Sequence, residues 1–349
     1  MAVRGQVAGI CRRYRRGRPG YRECRSDNEH HSQVGDAFSH AHQRRQKSRP
    51  QSQISLATGR SRAALPALRL LAQDGYIIEG IAFFRPESRD LFSHIDTIIF
   101  DIDGVLLEVS RSIRKVNCLS VAAYLRTLPG WTAPDDLLTS QDIEQFKEAG
   151  GFNDDWDLTF AVVLLFLHKW RLHHTSDASV LHTLSPTVAE YTTDIARRGG
   201  WLRSAEAITR DADLPSWPSE WYDKPKIQQM FQELWSGEHC QRLYGFEPQF
   251  FPGPGWIRLD TPLLDAALIP KGVKLGVVTG RTLREAQFAL ELLGLQDRIS
   301  LPGPQGITKD DGFYKPEPLG MRQVLTRLES RTALYIGDTI DDLRTVLSF

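Results

Sequence analysis

Residues 98–109 read IIFDIDGVLLEV, and this stretch decides the fold. The apolar run that ends at Phe100 is typical of a strand buried in a sheet. Asp101 and Asp103 follow one residue apart, and Gly104 comes directly after them. Because two like charges at the edge of an apolar core repel each other and resist desolvation, the pair indicates a site rather than ordinary packing.

Two later apolar stretches end in the same way, with oxygen-bearing side chains and a glycine: GVVTGR at 276–281 and LYIGDTIDD at 334–342. Helical patterns separate these stretches, which predicts right-handed crossovers, a parallel sheet and the α/β fold class. The carboxyl ends of parallel strands lie along one edge, where ligands bind. We therefore expect four side chains to converge there: Asp101, Asp103, Thr279 and Asp338.

A divalent cation among these carboxylates would resolve the desolvation problem. Mg²⁺ prefers hard oxygen ligands, and its charge suppresses the repulsion that would otherwise raise one carboxylate pKa. A further motif, GFYKPEP, places Lys315 in the loop before the last of these strands. The sequence thus predicts a Mg²⁺ site with a lysine nearby.

In chain order, D-x-D-G-V, V-V-T-G-R, K-P and G-D-T-x-D-D resemble the four motifs of the haloacid dehalogenase superfamily, subfamily I. The motifs run from Asp101 to Asp342 and frame most of the chain after the leader. The resemblance implies a Rossmann-like core with an inserted helical cap. It also implies a Mg²⁺-dependent phosphatase that acts on a small phosphorylated metabolite. A phosphomutase of the same superfamily and a catalytically impaired binding or regulatory protein are the alternatives.

The resemblance assigns a role to each matching residue. Asp101 would be the nucleophile that forms an aspartyl-phosphate, and Asp103 the acid and base. Thr279 would donate a hydrogen bond to a phosphoryl oxygen, with the Gly280 amide nearby, and Lys315 would offset charge on the transferring group. The expected metal ligands are Asp101, the backbone carbonyl of Asp103, Asp338 and, as a support of the metal shell, Asp342.

The second aspartate separates the chemistries of the superfamily. Dehalogenases lack an acid at the position of Asp103, so its presence favours phosphoryl transfer. The phosphonatase branch needs a cap lysine, and the candidates by position are Lys115, Lys147 and Lys169, each interpreted as a solvated surface residue. The substrate stays open; histidinol phosphate is one conceivable choice, since related proteins occur alongside histidine-pathway enzymes.

The helical insert offers two further candidates for substrate contact. Arg114 lies where the chain enters the insert, as an anion contact or as a solvated helix residue. The stretch EAGGFNDDWDLT at 148–159 would place Asn153 to Trp156 at the substrate, or would form a turn in which Asp154 or Asp155 caps the next helix.

Composition divides the chain unevenly. Residues 1–70 hold 15 lysines and arginines against 4 acidic residues, whereas the remainder holds 28 against 39. An acidic body is not typical of a nucleic-acid binder, so nucleic acid is an unlikely partner outside the leader. The predicted organisation is a basic disordered leader at 1–60, an uncertain segment at 61–94, a core at 95–111 and 258–349, and a helical cap at 112–257.

The leader has several interpretations: a disordered tail, an organellar transit peptide, a nucleic-acid-binding arm, or upstream sequence wrongly included in the gene model.

The chain ends at Phe349, inside the helix after the fourth motif, where the family usually continues, so we expect a truncated C-terminus. The four cysteines form no C-x-x-C pair and indicate a reducing compartment. The longest apolar run, Phe160–Leu167, is too short to span a bilayer and predicts a buried cap helix. We expect a soluble protein, cytoplasmic or organellar, of unknown oligomeric state.

Overall fold

The computed structural model describes residues 6–11, 77–79, 82–84, 92–210 and 214–349. The chain divides into two compact units, Arg13–Arg89 on its own and Met1–Arg12 together with Asp90–Phe349. The strands of the described ranges are β1 (Gln6–Cys11), β2 (Ile77–Glu79), β3 (Ala82–Phe84), β4 (Thr97–Phe100), β5 (Leu107–Glu108), β6 (Thr261–Pro262), β7 (Lys274–Val278), β8 (Gly306–Ile307) and β9 (Thr332–Gly337).

Five of these strands form one parallel sheet in the order β1-β9-β4-β7-β8. β4 is central, and Thr97 pairs with Lys274 of β7 on one side and with Ala333 of β9 on the other. A strand covered on both faces must be apolar along its length, which explains the run at 97–100. Its Ile98 and Ile99 accordingly belong to different hydrophobic clusters.

The helices are α1 (Ile113–Leu125), α2 (Ser140–Ala149), α3 (Asp155–His173), α4 (Ala178–Thr183), α5 (Val188–Arg197), α6 (Trp201–Thr209), α7 (Lys224–Ser236), α8 (Cys240–Tyr244), α9 (Leu283–Leu292), α10 (Leu319–Arg327) and α11 (Ile340–Leu347). Helices α9 to α11 alternate with the strands of the sheet, and α1 to α8 form the insert. The predicted parallel α/β sheet is confirmed, and we call the inserted helices α1 to α8 the cap.

The insert enters and leaves the sheet unit through a short antiparallel pair, β5 and β6, in which Leu107 lies opposite Pro262. Just beyond this pair, the Ser112 hydroxyl donates a hydrogen bond to Asp260. The two segments that connect the insert to the sheet unit are therefore joined by backbone hydrogen bonds and by a side-chain hydrogen bond. We call this region, residues 107–112 and 258–262, the cap hinge.

Helix α3 is the centre of the cap. Its residues Phe160–Leu167 are buried on all sides, as the apolar run predicted. Lys169, on the same helix, is also fully buried, and its Nζ donates to the carbonyl oxygens of Leu181 (2.6 Å) and His182 (3.3 Å). The interpretation of Lys169 as a solvated surface residue is wrong, because these two carbonyls take the place of water.

Two sequence expectations fall largely outside the described ranges. Within the predicted leader only Gln6–Cys11 is described, and it forms the edge strand of the main sheet. In the segment 61–94, which the sequence left uncertain, β2 and β3 form an antiparallel hairpin with Ile77 opposite Phe84. No helix of the described part is long and apolar enough to cross a membrane.

Candidate functional site

Asp101 is held at the end of β4 by a tight turn. Its amide donates to Ile336 of β9, and the amides of residues 105–107 all return to the carbonyl of Ile102. Gly104 has φ +70°, and a Cβ there would lie 2.0 Å from Asp338 Oδ2. The chain therefore leaves strand geometry at the point where the sequence predicted a bend, and glycine is required both by the backbone and by the neighbouring carboxylate.

Lys315 joins two aspartates that lie 241 positions apart in the sequence. Its Nζ lies 2.7 Å from Asp101 Oδ2 and 2.7 Å from Asp342 Oδ1, and all three side chains are nearly inaccessible to solvent. Burial raises the pKa of Asp101 to about 7, with Lys315 opposing the shift and Asp342 adding to it. The pKa of Asp342 is lowered instead. Burial would raise it, but the charge of Lys315 and the hydrogen bonds from Lys315, Tyr335 and Thr339 outweigh burial.

Three carboxylates at this position could hold a cation. Oxygens of Asp101, Asp338 and Asp342 lie within 4.8 Å of one another. Asp338 Oδ1 is buried and accepts no hydrogen bond within the described ranges. Burial, and then the charge of Asp342, raise the pKa of Asp338 to about 6. An unpaired buried oxygen among carboxylates fits a hard divalent cation such as Mg²⁺.

Asp103 is held by an arginine to which the sequence analysis gave no role. Nε and Nη2 of Arg281 donate to Asp103 Oδ1 over 2.9 and 2.7 Å, and Nη2 also lies 3.4 Å from Asp260 Oδ2. Burial raises the pKa of Asp260 to about 6, although Arg281 opposes that shift. The only signal in the sequence was the position of Arg281, directly after the Thr-Gly pair of the second motif.

Thr279 follows β7 and is buried, with its amide donating to Ile307 of the neighbouring β8. Its hydroxyl oxygen accepts from the Arg281 amide over 3.2 Å, so the hydroxyl proton remains available for a ligand. Gly280 is exposed, and a Cβ there would meet open space. These positions suit their predicted roles, which remain predictions.

The loop before α3 contacts the sheet unit directly. Asn153 donates to the Asp341 carboxylate, and Asp154 forms an ion pair with Lys309 in the loop after β8. The Lys309 ammonium also lies 3.5 Å from the centre of the Trp156 ring. Asp154 is the N-cap of α3 as well, since it accepts from the Trp156 amide. The helix-capping interpretation of the stretch at 148–159 is confirmed, and the same turn bridges cap and sheet, whereas contact of Asn153 to Trp156 with the substrate stays a prediction. We call the set Asn153, Asp154, Trp156, Lys309 and Asp341 the cap latch.

Arg114 forms its ion pair with Glu144 of helix α2, inside the cap. Lys147, a second cap candidate, pairs with Asp155 over 3.2 Å. The Arg114 contact stays inside the cap, whereas the charge of Lys147 also acts on Asp338 of the carboxylate cluster, where it opposes the rise of the pKa. The anion-binding role of Arg114 therefore stays a prediction without support from its contacts.

Comparisons with known proteins agree with this arrangement. A family model described as haloacid dehalogenase-like hydrolase matches residues 260–347, the stretch that carries the second, third and fourth motifs. The chain is 25% identical over 260 residues to an imidazoleglycerol-phosphate dehydratase of Phytophthora nicotianae. That alignment covers 72% of this chain and 41% of the relative, so the chain spans less than half of that protein's length.

Similar solved structures include the phosphatase Tt82 from Thermococcus thioreducens, at 20% identity and a TM-score of 0.47, covering 71% of this chain and 85% of that one. A haloacid dehalogenase superfamily hydrolase of subfamily IA from Geobacter sulfurreducens is 17% identical with a TM-score of 0.35, covering 73% and 83%. Residues 260–347 are thus similar to a haloacid dehalogenase-like hydrolase, and the Asp101 motif lies upstream of the matched stretch.

Proposed function

We propose that the chain is a Mg²⁺-dependent phosphatase that hydrolyses a small phosphorylated metabolite through an aspartyl-phosphate intermediate. The observation that carries the proposal is the placement of Lys315 between Asp101 and Asp342, beside the unpaired Asp338 oxygen. A buried carboxylate next to a fixed ammonium suits attack on a phosphoryl group, because the ammonium offsets negative charge as it develops.

In the first step an Asp101 oxygen attacks phosphorus and the bond from phosphorus to the leaving oxygen breaks, while Asp103 gives its proton to that oxygen. In the second step Asp103 takes a proton from water, which attacks the aspartyl-phosphate and releases phosphate, restoring both aspartates. Thr279 donates a hydrogen bond to a phosphoryl oxygen during both steps. Mg²⁺, held by Asp101, Asp338, the carbonyl of Asp103 and the supporting Asp342, would supply charge neutralisation at the phosphoryl oxygens.

The cap latch supports a role for the insert in substrate choice, since it places the start of α3 against Lys309 after β8 and against Asp341, the neighbour of Asp342 in α11. A closed cap excludes water other than the attacking molecule and orients the leaving group. For the substrate, the similarity to an imidazoleglycerol-phosphate dehydratase makes imidazole-bearing phosphate esters, including histidinol phosphate, the first compounds to test.

The proposal is tested by phosphate release from a panel of phosphorylated metabolites and from 4-nitrophenyl phosphate, with the full-length chain, in the presence of MgCl₂ or excess EDTA. We expect Mg²⁺-dependent turnover that Asp101→Asn abolishes while the circular dichroism spectrum is unchanged. Turnover that survives in Asp101→Asn would overturn the nucleophile, and turnover that survives EDTA would overturn the metal. Phosphate transferred to a second substrate without release would favour the phosphomutase.

A further inference from the structure

We propose that Arg281 positions the proton-transferring carboxylate of Asp103 and couples its position to the cap hinge. The inference rests on the proposed function, in which Asp103 protonates the leaving oxygen. Arg281 is buried, with 4% of its side chain exposed, whereas 34% of the Asp103 side chain is exposed. A rigid buried group thus holds a carboxylate that would otherwise rotate freely at the edge of the site.

The contact is directional. Nε and Nη2 of Arg281 both donate to Oδ1 of Asp103, so two donors of the guanidinium fix the position of that one oxygen. No hydrogen bond to Asp103 Oδ2 is found among the described residues, which leaves that oxygen to carry the transferred proton. A lysine at 281 would keep the charge but would lose the two-point geometry.

Charge balance alone does not account for this contact. Asp260 is almost fully buried, with 1% of its side chain exposed, and it already pairs with Arg281 over 3.4 Å. Arg281 nevertheless makes its shorter contacts with the more exposed Asp103, whose charge raises the pKa of Arg281 more than the charge of Asp260 does. The additional hold on Asp103 is explained if the position of that carboxylate matters for the reaction.

Arg281 also joins Asp103 to the cap. Asp260 accepts from the Ser112 hydroxyl, and these two residues belong to the two crossings of the cap hinge. The Arg281 guanidinium carbon lies 5.3 Å from the centre of the Trp235 ring on cap helix α7. A rotation of the cap about its hinge would displace Asp260 and Trp235, and with them the guanidinium. The acid is therefore correctly oriented only when the cap is in the position seen here.

The test compares two substrates of the full-length enzyme. 4-Nitrophenyl phosphate releases a stable anion that needs little protonation, whereas an alkyl phosphate such as glycerol phosphate needs the acid. For Arg281→Lys we expect kcat/KM to fall at least about tenfold with the alkyl phosphate and less than about threefold with the aryl phosphate. Arg284→Lys, exposed in the first turn of α9 and three residues after Arg281, serves as the matched control and should change neither value.

Two further measurements separate positioning from a structural role. In an Asp103→Asn background, Arg281→Lys should cause no additional loss, because the group that it orients is already disabled. If Arg281→Lys does not fold, Ser112→Ala replaces it: this variant keeps Arg281 and should show the same preference for the aryl substrate, to a smaller extent. Equal losses on both substrates, in either variant, would overturn the inference. Suppose that Asp101→Asn abolishes turnover but Arg281→Lys keeps the wild-type ratio of kcat/KM between the two substrates. Only this inference then fails, and the proposed function stands.

Discussion

Replacing Lys315 by methionine removes the ammonium from between Asp101 and Asp342 while keeping an unbranched side chain of similar size. Both carboxylates then lie in the interior without a cation, since Asp101 is 5% exposed and Asp342 is 2% exposed. Buried carboxylates without a partner either repel each other or take up a proton, and each response lowers stability or activity. The substitution therefore probes stability and catalysis through one atom, Nζ.

The size of the effect follows from the distances. At 2.7 Å, with an effective dielectric constant of 20, each attraction amounts to roughly 6 kcal/mol before the cost of desolvation. The carboxylate oxygens lie within 4.8 Å, where their mutual repulsion is roughly 3.5 kcal/mol. After desolvation, the loss of one partner of a buried pair is expected to cost about 3–5 kcal/mol in the free energy of unfolding.

The measurement is urea denaturation of wild type and Lys315→Met, in EDTA and in excess MgCl₂. We expect the full loss at about pH 8 in EDTA and a smaller one at about pH 5. The pH dependence follows from Asp101, whose pKa is already raised to about 7 and rises further without Lys315. The ionised carboxylate lowers the free energy of unfolding, and this loss disappears as Asp101 is protonated at lower pH. Mg²⁺ should recover part of the loss. A difference below about 1 kcal/mol at pH 8 in EDTA would refute this account of the cluster.

Three further predictions concern the cap and the turn after β4. Lys309→Met and Asp154→Asn, in which Asn still caps the helix, should each raise KM several-fold. A double-mutant cycle of the two should give a coupling energy of about 1 kcal/mol, and additive effects on KM would exclude the latch. Burial, and then the charge of Asp154, raise the pKa of Asp157 to about 6. The ionised carboxylate therefore destabilises the folded state above that pH, and the cost is absent below the pKa that Asp157 has in the unfolded chain. Asp157→Asn should therefore stabilise by about 1 kcal/mol at pH 8 and not at pH 4, as measured by urea denaturation. Gly104→Ala should push a methyl group against Asp338, and a magnesium titration of phosphate release should show weaker activation; an unchanged titration curve would contradict that.

Much of the fold could be predicted because its signals are local. The apolar run before Asp101 and the stretch 273–280 carry the properties of buried parallel strands in a few consecutive residues. A helical pattern was expected between the second and the last of the four motifs, and α9 lies there, from Leu283 to Leu292. β8, in contrast, has only two residues and no periodicity to detect. β1 was missed because the charged composition around it outweighed its six residues.

The site was predicted in its motifs and missed in its long-range contacts. Asp338 could be expected near Asp101, because both follow strands whose ends share an edge of the sheet, whereas the roles of Lys315 and Asp342 came from the resemblance to the family motifs. The pairing of Arg281 with Asp103, 178 positions away, depends on side-chain directions that no local pattern encodes. Burial of Lys169 was missed for a related reason: its carbonyl partners lie on the next helix, and a lysine in sequence gives no sign of them.

Asp342 has a consequence for anyone who probes this site by mutation. Its Oδ2 accepts from the amide and hydroxyl of Thr339, so it is the third residue of a capping box at the start of α11, and its Oδ1 accepts from Tyr335. A helix that loses such a cap is destabilised by about 1 kcal/mol, whatever happens to the chemistry. If an Asp342 variant is inactive, the loss of activity could therefore come from unfolding of the start of α11 or from loss of a metal ligand. Asp338, whose buried Oδ1 has no hydrogen-bond partner among the described residues, offers the cleaner reading.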